Sequence, residues 1–217
     1  MRVMIAGGHG KIALLLSKLL ADAGHEPVGM IRNPEHAADL LVVGAIPIVV
    51  DLEATEVGTL ATDLSGVDAV VFAAGAGPNS GPERKLTVDR DGAILLADAA
   101  ERAGIRRMIV VSAIAADDFE PDSQDVFQVY LRAKSEADAA VRAHQIDWTI
   151  IRPGSLTDDP PTGQVQLAES TGRGSISRAD VARLIFVALT DGSAARVQFE
   201  AIAGDTPIAD ALASLHP

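Results

Sequence analysis

Short runs of apolar, β-branched residues alternate along this chain with longer stretches of helical periodicity, and this alternation constrains the fold most. The apolar runs, such as Ala69-Val70-Val71-Phe72, are continuous, which is typical of strands buried on both faces of a parallel sheet. Gly24, Gly44 and Gly104 each follow a helical stretch, as expected just past a helix end. The pattern predicts a single-domain, doubly wound α/β fold, with a parallel sheet covered by helices on both faces.

The pattern predicts seven strands and six helices along the chain. The predicted strands are Val3–Ala6, Val28–Ile31, Ile46–Val50, Ala69–Ala73, Arg107–Val111, Thr149–Arg152 and Val197–Ala201. The predicted helices are Lys11–Ala23, Pro34–Val43, Val57–Leu64, Thr87–Ala103, Val126–Ala143 and Arg178–Leu189.

Three segments rich in glycine, proline and small polar residues are predicted to be loops: Gly75–Pro82, Ala113–Asp125 and Pro153–Ser175. Each follows a strand. Because the carboxyl ends of parallel strands meet at one edge of a sheet, a ligand crevice is expected among these loops. No composition shift divides the chain, so residues 1–217 are expected to form one domain.

The composition excludes several classes of function. Eighteen basic and 30 acidic residues give a net charge of −12, which would repel a nucleic acid. The absence of cysteine excludes disulfides and thiol nucleophiles, and the five histidines have no metal-binding spacing, so no metal site is expected. Without a signal peptide or an apolar segment long enough to span a bilayer, a cytoplasmic protein with no membrane partner is expected. The oligomeric state stays open.

A glycine-rich turn follows the first predicted strand and opens the first predicted helix. It reads Gly7-Gly8-His9-Gly10-Lys11-Ile12-Ala13. Gly7 permits a tight turn, and Gly10 lets a phosphate approach the backbone. The free N–H groups and the positive end of the helix dipole would then face a pyrophosphate. The turn predicts a dinucleotide site, with His9 contributing through its backbone; the alternative is a plain tight turn.

The residue after the second strand indicates which dinucleotide is preferred. NAD sites usually carry an acid there, which binds the ribose 2′-hydroxyl. This chain has Arg32 in its place, within Met30-Ile31-Arg32-Asn33. A guanidinium pairs well with a 2′-phosphate, so we expect NADP(H) over NAD(H), unless Arg32 is a solvated surface residue.

Two further strand ends could border the cofactor. Asp51 and Leu52 follow the third strand, where Asp51 either borders the adenine or caps a helix. Ala73, Ala74 and Gly75 end the fourth strand, where small residues would leave room for a ribose or form a simple turn.

Ser112, Tyr130 and Lys134 form the candidate catalytic set. Tyr130 and Lys134 are four residues apart on a predicted helix, so they share a face. A nearby ammonium would lower the pKa of the Tyr130 phenol and suit it as a general acid towards a carbonyl oxygen. Ser112 ends the fifth strand and could donate to the same oxygen. Alternatively, Tyr130 only packs, Lys134 is solvated and Ser112 caps the strand.

Two acidic residues on the same helix are assigned to its outer surface. Glu136 and Asp138 are expected on a solvated face, with no part in the site.

The glycine-rich turn, the Ser112, Tyr130 and Lys134 set and several further stretches together make the sequence resemble an atypical short-chain dehydrogenase/reductase of the NAD(P)-binding, NmrA-like group. The matching stretches are Gly7–Ala13, Ile31–Glu35, Val88–Gly104, Val110–Ser112, Tyr130–Ala137, Trp148–Gly154, Ile176–Val181 and Ala203–Ile208. The wide spacing between Ser112 and Tyr130 departs from the usual pattern.

The resemblance implies a Rossmann fold that holds NADP(H) over the crevice. It also implies that Lys134 binds the cofactor ribose and that Pro153, Gly154, Ser155 and Leu156 contact the cofactor near the nicotinamide, mainly through their backbone. Residues 153–217 would supply a small substrate-side region.

The resemblance leaves the function divided. Some members reduce quinones, flavins or biliverdin with NADPH, so a reductase for a small carbonyl, quinone or flavin-like acceptor is expected. Others bind the dinucleotide as a sensor that acts through a protein partner. Only 63 residues follow Gly154 (217 − 154), which argues against a sugar epimerase or dehydratase with a nucleotide-sugar substrate.

Overall fold

Within residues 1–77, 79–192 and 194–215, which the computed structural model describes, the chain forms eleven strands and eight α-helices. The strands are β1 (Arg2–Ala6), β2 (Glu26–Ile31), β3 (Ile46–Val49), β4 (Ala69–Phe72), β5 (Arg107–Val111), β6 (Asp147–Pro153), β7 (Ser155–Thr157), β8 (Gln164–Ala168), β9 (Ser175–Ser177), β10 (Val197–Ala203) and β11 (Thr206–Pro207). The helices are α1 (Lys11–Asp22), α2 (Ala37–Val42), α3 (Val57–Asp63), α4 (Pro82–Arg84), α5 (Gly92–Arg102), α6 (Val126–Ala143), α7 (Arg178–Thr190) and α8 (Ile208–Ala213).

Nine of these strands form the central sheet in the order β11-β8-β10-β6-β5-β4-β1-β2-β3. Seven neighbouring strands of this sheet are parallel, in the spatial order β10-β6-β5-β4-β1-β2-β3. Strand β8 runs antiparallel to β10 and to β11. Each of the seven predicted strands is present within two residues of its predicted ends. The predicted Rossmann-like, doubly wound fold is therefore confirmed.

Helices cover both faces of the sheet, and each face has its own apolar core. On one face α1 and α7 pack together through residues such as Leu16 and Ile185. On the other face α3, α5 and α6 contribute Leu60, Leu96 and Val141 to the core. The strands between them are buried on both sides, which explains their continuous apolar sequence.

The third strand departs from that pattern. It forms one edge of the sheet, and Ile46 and Val49 are 42% and 61% exposed. The apolar run was expected to be buried on both faces. Its position at the sheet edge leaves these two side chains partly in solvent.

The segment Pro153–Ser175 was wrongly predicted as a loop. It contains β7 and β8, and Ser175 begins β9. Strands β7 and β9 form a separate two-stranded parallel sheet, while β8 extends the central sheet beyond β10. These strands are short and gain their partners from distant parts of the chain, so their local sequence carries little signal.

The helix predicted over Thr87–Ala103 begins earlier and is irregular. It starts at Pro82, passes through a π-helical stretch at Lys85–Asp91 and continues as α5. The wider turn buries Lys85, Val88 and Asp89. Such π-helical turns often occur at functional sites. None of the helices in the described ranges is long and apolar enough to cross a membrane.

Truncation of a core residue of α1 tests the packing between α1 and α7. Leu16 is 0% exposed, and its neighbour Leu15 is 40% exposed. We expect Leu16→Ala to lower the free energy of unfolding by about 2–5 kcal/mol because it leaves a cavity. Leu15→Ala, the matched control on the same helix, should cost about 1 kcal/mol or less. Urea unfolding measures both, and equal losses would contradict the assigned packing.

Candidate active site

A crevice opens where β1 separates β2 from β4. Ala6 at the end of β1 pairs with Met30 of β2 on one side and with Phe72 of β4 on the other. The chain leaves these strands towards opposite sides of the sheet, so the loops that follow them diverge. Open α/β sheets bind their ligands at this point of the topology.

The glycine-rich turn lies at the base of this crevice. Gly7 has a φ of +79°, and a Cβ atom there would lie 2.6 Å from the Cα atom of Ala74. The Gly10 N–H donates to the Gly7 carbonyl at 2.8 Å, and the Leu14 N–H makes a 2.9 Å bond to the Gly10 carbonyl. Gly10 is the N-cap residue of α1, and within the described residues no side chain caps the helix, so the N–H groups that start α1 are available to an anion.

The side chains of His9 and Lys11 in this turn are engaged with other side chains. The His9 ring stacks on His36 and lies 2.7 Å from Asp39, and Lys11 donates to Asp158. Contacts with a phosphate would therefore come from the backbone, as expected for His9. Ile12 lines a cavity on the other side of the turn.

On the β2 side lies a pocket of about 210 Å³ that we call the arginine pocket. Its lining brings together the predicted Gly7, Arg32, Asp51, Leu52, Ala74 and Gly75 with Glu53 and Arg84. The carboxylate of Asp51 accepts a hydrogen bond from the Glu53 N–H at 3.0 Å and does not cap a helix, because α3 begins after Glu56.

Glu53 draws two guanidinium groups into the arginine pocket. Its carboxylate accepts hydrogen bonds from Arg84 at 2.7 Å and from Arg32 at 3.3 Å. A 2.6 Å bond from Thr87 completes the set. The hydrogen bonds from Arg84 and Thr87 lower the pKa of Glu53. Arg84 was not predicted, since it lies 52 positions after Arg32 (84 − 32) and only the fold brings the two together.

On the other side lies a larger cavity of about 690 Å³, which we call the main cavity. It contains all three predicted catalytic residues, Ser112, Tyr130 and Lys134. The predicted cofactor residues Ile12, Ala73, Ala74, Gly75 and Leu156 also line it, together with Lys85, Asp89 and Phe127. Ala74 and Gly75 belong to both pockets, so a ligand could extend from one to the other.

Tyr130 lies beside two ammonium groups in the main cavity. The Lys85 and Lys134 nitrogens are 5.4 and 5.9 Å from the centre of its ring. Its hydroxyl makes no hydrogen bond within the part of the chain that the structure describes. Burial raises the pKa of Tyr130 more than Lys134 lowers it, so the expected fall in this pKa is wrong. The phenol keeps its proton at neutral pH.

Lys134 is buried and paired with Asp89 of the π-helical stretch. The two charged groups are 3.3 Å apart, and Lys134 also donates to the Val111 carbonyl at 3.2 Å. Burial lowers the pKa of Lys134, but its interactions with Tyr130, Asp89 and Asp138 together outweigh burial, so the pKa is raised. The alternative that Lys134 is solvated is thereby excluded. Asp89 was not predicted as a site residue, because the helix was expected to be regular there.

Ser112 donates a hydrogen bond to Asp138, which was wrongly predicted to lie in solvent. Asp138 is 0% exposed, not solvated as expected, and its Oδ2 atom accepts a 2.7 Å hydrogen bond from Ser112. Burial raises the pKa of Asp138. Arg152 lies between Asp138 and Asp117, with distances of 2.8 and 2.7 Å to their carboxylates. By contrast, Glu136 is partly exposed and pairs with Arg90.

The segment after β6 contributes to the site unevenly. Leu156 lines the main cavity, whereas Ser155 lines a separate cavity near Phe127. Pro153 and Gly154 are buried. The Gly154 N–H donates to the Ala201 carbonyl and the Ser155 N–H to the Gly174 carbonyl, each at 2.9 Å. Neither N–H is therefore free for the cofactor contacts that the resemblance implies.

Comparison with known proteins decides the family. The model of the NAD(P)H-binding family matches residues 7–192, which include the glycine-rich turn, Tyr130 and Lys134. The chain belongs to this family. Binding of NAD(P)H, for which the family is named, agrees with a crevice in which the uncapped start of α1 lies beside two pockets that share residues.

Three similar proteins cover nearly the whole chain. A Bacillus subtilis protein named as an uncharacterized sugar epimerase, YhfK, is 38% identical over 99% of this chain and 100% of its own length. A Bacillus halodurans structure, provisionally named an NAD-dependent epimerase/dehydratase, has a TM-score of 0.89 at 36% identity, covering 99% of both chains. The Lactococcus lactis oxidoreductase ylbE has a TM-score of 0.85 at 27% identity, covering 99% of this chain and 96% of its own.

More distant structures share the fold. The anaerobillin reductase ChuY from Escherichia coli O157:H7 has a TM-score of 0.79 at 22% identity, covering 94% of this chain and 98% of its own. A short-chain dehydrogenase/reductase from Veillonella parvula in complex with NADP has a TM-score of 0.68 at 19% identity, covering 95% of this chain and 98% of its own. Structural neighbours thus include a reductase and a short-chain dehydrogenase/reductase with bound NADP.

The pair between Arg152 and Asp117 behind Ser112 predicts a stability that depends on pH. Hydrogen bonding from Arg152 lowers the pKa of Asp117 to about 2. A carboxyl with a lowered pKa stabilises the fold above its unfolded pKa of ~4, and this contribution is lost as the pH falls towards about 2. Because Asp117 is 56% exposed, we expect Asp117→Asn to cost only about 1 kcal/mol at pH 7.

Urea unfolding between pH 7 and pH 3 measures this difference, which should shrink below a pH of about 4. Asp159→Asn, at an exposed carboxylate that has no ion pair in the described ranges, is the matched control. A difference between wild type and Asp117→Asn that stays constant over this range would contradict the pairing.

Proposed function

We propose that this protein is an NADP(H)-dependent reductase that transfers hydride to a small carbonyl, quinone or flavin-like acceptor. The observation that carries the proposal is the main cavity. It places Tyr130 and the buried Lys134 against the strand ends and the turn that would hold the dinucleotide. The nicotinamide would supply the hydride, and the protein would position it and exclude water.

Tyr130 is the proposed proton donor when the acceptor is a carbonyl. Its raised pKa keeps it protonated at neutral pH, and its hydroxyl makes no hydrogen bond in the described ranges. The buried Lys134, held by Asp89 and Val111, presents a fixed positive charge beside it and is the proposed ribose contact. A quinone or flavin acceptor would make less use of such an acid.

The arginine pocket supports a preference for NADP(H). Arg32 and Arg84 converge there, and two guanidinium groups bind a 2′-phosphate more strongly than a 2′-hydroxyl. Glu53 now accepts hydrogen bonds from both, so the phosphate would displace its carboxylate or join it. The NADP complex of the Veillonella parvula structure lends support at the level of the fold.

The region after Gly154 supports a small acceptor. Strands β8, β10 and β11 extend the central sheet and α8 packs on α7. Much of this region thus belongs to the central sheet, and Leu156 from this region lines the main cavity. We propose that this part of residues 153–217 borders the acceptor, and we place a nucleotide sugar outside the substrate class despite the epimerase names of two relatives.

Turnover is the direct test of the proposal. NADPH oxidation by the purified protein is followed spectrophotometrically with quinone, flavin and aldehyde acceptors, and with a nucleotide sugar as the comparison. Consumption of NADPH with one of the first three is expected. No consumption with any acceptor, together with unequal affinities for NADPH and NADP⁺, would contradict the reductase and support a redox sensor.

Removal of the Tyr130 hydroxyl tests its role. With an aldehyde acceptor, Tyr130→Phe should lower kcat about 100-fold or more, because the proton donor is lost while the ring stays in place. The dissociation constant for NADPH, measured by fluorescence titration, should change by no more than about twofold. Wild-type turnover in this variant would remove Tyr130 from the mechanism.

The two arginines determine the expected cofactor preference. Arg32→Ala and Arg84→Ala should each weaken NADPH binding about tenfold and leave NADH binding unchanged, because each removes a charge-assisted hydrogen bond to the 2′-phosphate. Arg183→Ala, at an exposed position on α7, is the matched control for loss of one positive charge. An unchanged ratio of NADPH to NADH affinity in both pocket variants would show that neither arginine binds the phosphate.

A further inference from the structure

The hydroxyl group of Ser112 makes a hydrogen bond to a residue of the protein interior. Ser112 ends β5 in the wall of the main cavity, and its Oγ atom lies 2.7 Å from Oδ2 of Asp138. Asp138 is on α6 and is completely buried. The hydrogen bond therefore joins the cavity wall to a carboxylate that solvent does not reach.

Arg152 determines the direction of this hydrogen bond. Its Nε and Nη2 atoms lie 2.9 and 2.8 Å from the same Oδ2 atom of Asp138. Because guanidinium groups only donate, Oδ2 accepts both of these N–H groups, and a carboxyl proton on a neutral Asp138 would sit on Oδ1, away from the guanidinium. Ser112 must then be the donor in its own bond to Oδ2, whatever the state of the other carboxylate oxygen.

The Ser112 oxygen is left with acceptor capacity only. A serine hydroxyl has one hydrogen and two lone pairs, and the hydrogen is used by Asp138. Within the described ranges no group donates to this oxygen. Towards the main cavity Ser112 can therefore only accept a hydrogen bond. The sequence had predicted that Ser112 would polarise a carbonyl oxygen by donating one, and this geometry contradicts that prediction.

Ser112 lines the main cavity and not the arginine pocket, so it lies towards the nicotinamide end of the proposed dinucleotide site. The Ser112 N–H donates to the Ile151 carbonyl at 2.8 Å, and the Ile114 N–H donates to the Pro153 carbonyl at 3.0 Å. Ser112 thus lies beside the chain that leads to Leu156, and both residues line the main cavity with Ile12. At the nicotinamide end of the dinucleotide, the carboxamide supplies an N–H donor.

We propose that Asp138 is a positioning residue that makes Ser112 a hydrogen-bond acceptor for the carboxamide N–H group of the nicotinamide. Ser112 then orients the nicotinamide ring, and proton donation to the acceptor is left to Tyr130. The inference rests on the proposed binding of NADP(H) in the main cavity and does not require turnover.

A cofactor analogue tests the polarity of Ser112. In the 3-acetylpyridine analogue of NADP⁺ a methyl group replaces the carboxamide amino group, so the donor is absent. Dissociation constants for NADP⁺ and for the analogue are measured by titration, and their ratio is compared between variants. We expect the wild type to favour NADP⁺ about tenfold, and Ser112→Ala to reduce this preference to within about twofold.

Two substitutions of Asp138 separate its acceptor oxygen from a structural role. Asp138→Asn keeps an oxygen that accepts from Ser112 and Arg152, so the preference for NADP⁺ should remain. Asp138→Leu, of similar size, releases the Ser112 hydrogen towards the cavity and should remove the preference. A ratio within one variant is insensitive to general loosening of the site, and Asp138→Ala replaces Asp138→Leu if that variant does not fold.

Several outcomes would overturn the inference. A wild type that binds both cofactors equally, a Ser112→Ala variant that keeps the preference, or an Asp138→Leu variant that keeps it would each do so. Turnover of NADPH without any preference would overturn this inference alone. Failure of the wild type to bind NADP⁺ would overturn the proposed function as well, and an intact preference without turnover would overturn only the reductase.

Discussion

The parallel pairing of β1 with both β2 and β4 is the constraint on which the rest of the site depends. It brings Ala6 beside Met30 and Phe72, so the turn at Gly7 starts where the neighbouring loops diverge. The turn then packs so closely on the segment after β4 that a Cβ atom on Gly7 would lie 2.6 Å from the Cα atom of Ala74. Gly7 lines the arginine pocket, and Ala74 lines both this pocket and the main cavity.

Buried charges link the helices of one face to this crevice. Lys134 and Asp138 both lie on α6 and face inward, one towards Asp89 and the other towards Ser112 and Arg152. A buried ion pair stabilises a fold only when its geometry and hydrogen bonding are good, since desolvation opposes it. Such pairs are better suited to hold polar groups in place, and here the groups they hold line the main cavity.

The sequence was sufficient for the features that depend on neighbouring residues. The buried strand Ala69–Phe72, the helix Val126–Ala143 and the turn at Gly7 were all predicted, because side-chain periodicity and glycine placement report on local geometry. Tyr130 and Lys134 were predicted to share a helix face for the same reason, and both line the main cavity.

Partners from distant segments were decided only by the tertiary structure. Asp138 lies four residues after Lys134, so helical spacing alone would place it on the same face, but its partner Arg152 reaches it from β6 and is not marked by the local sequence. The π-helical stretch that turns Asp89 towards Lys134, and the approach of Arg84 to Arg32 around Glu53, likewise arise from packing between segments. The sequence by itself determined the parallel sheet and the glycine-rich turn, which follow from local pattern. The fold decided which charges meet, because hydrogen bonds and burial join residues far apart in the chain.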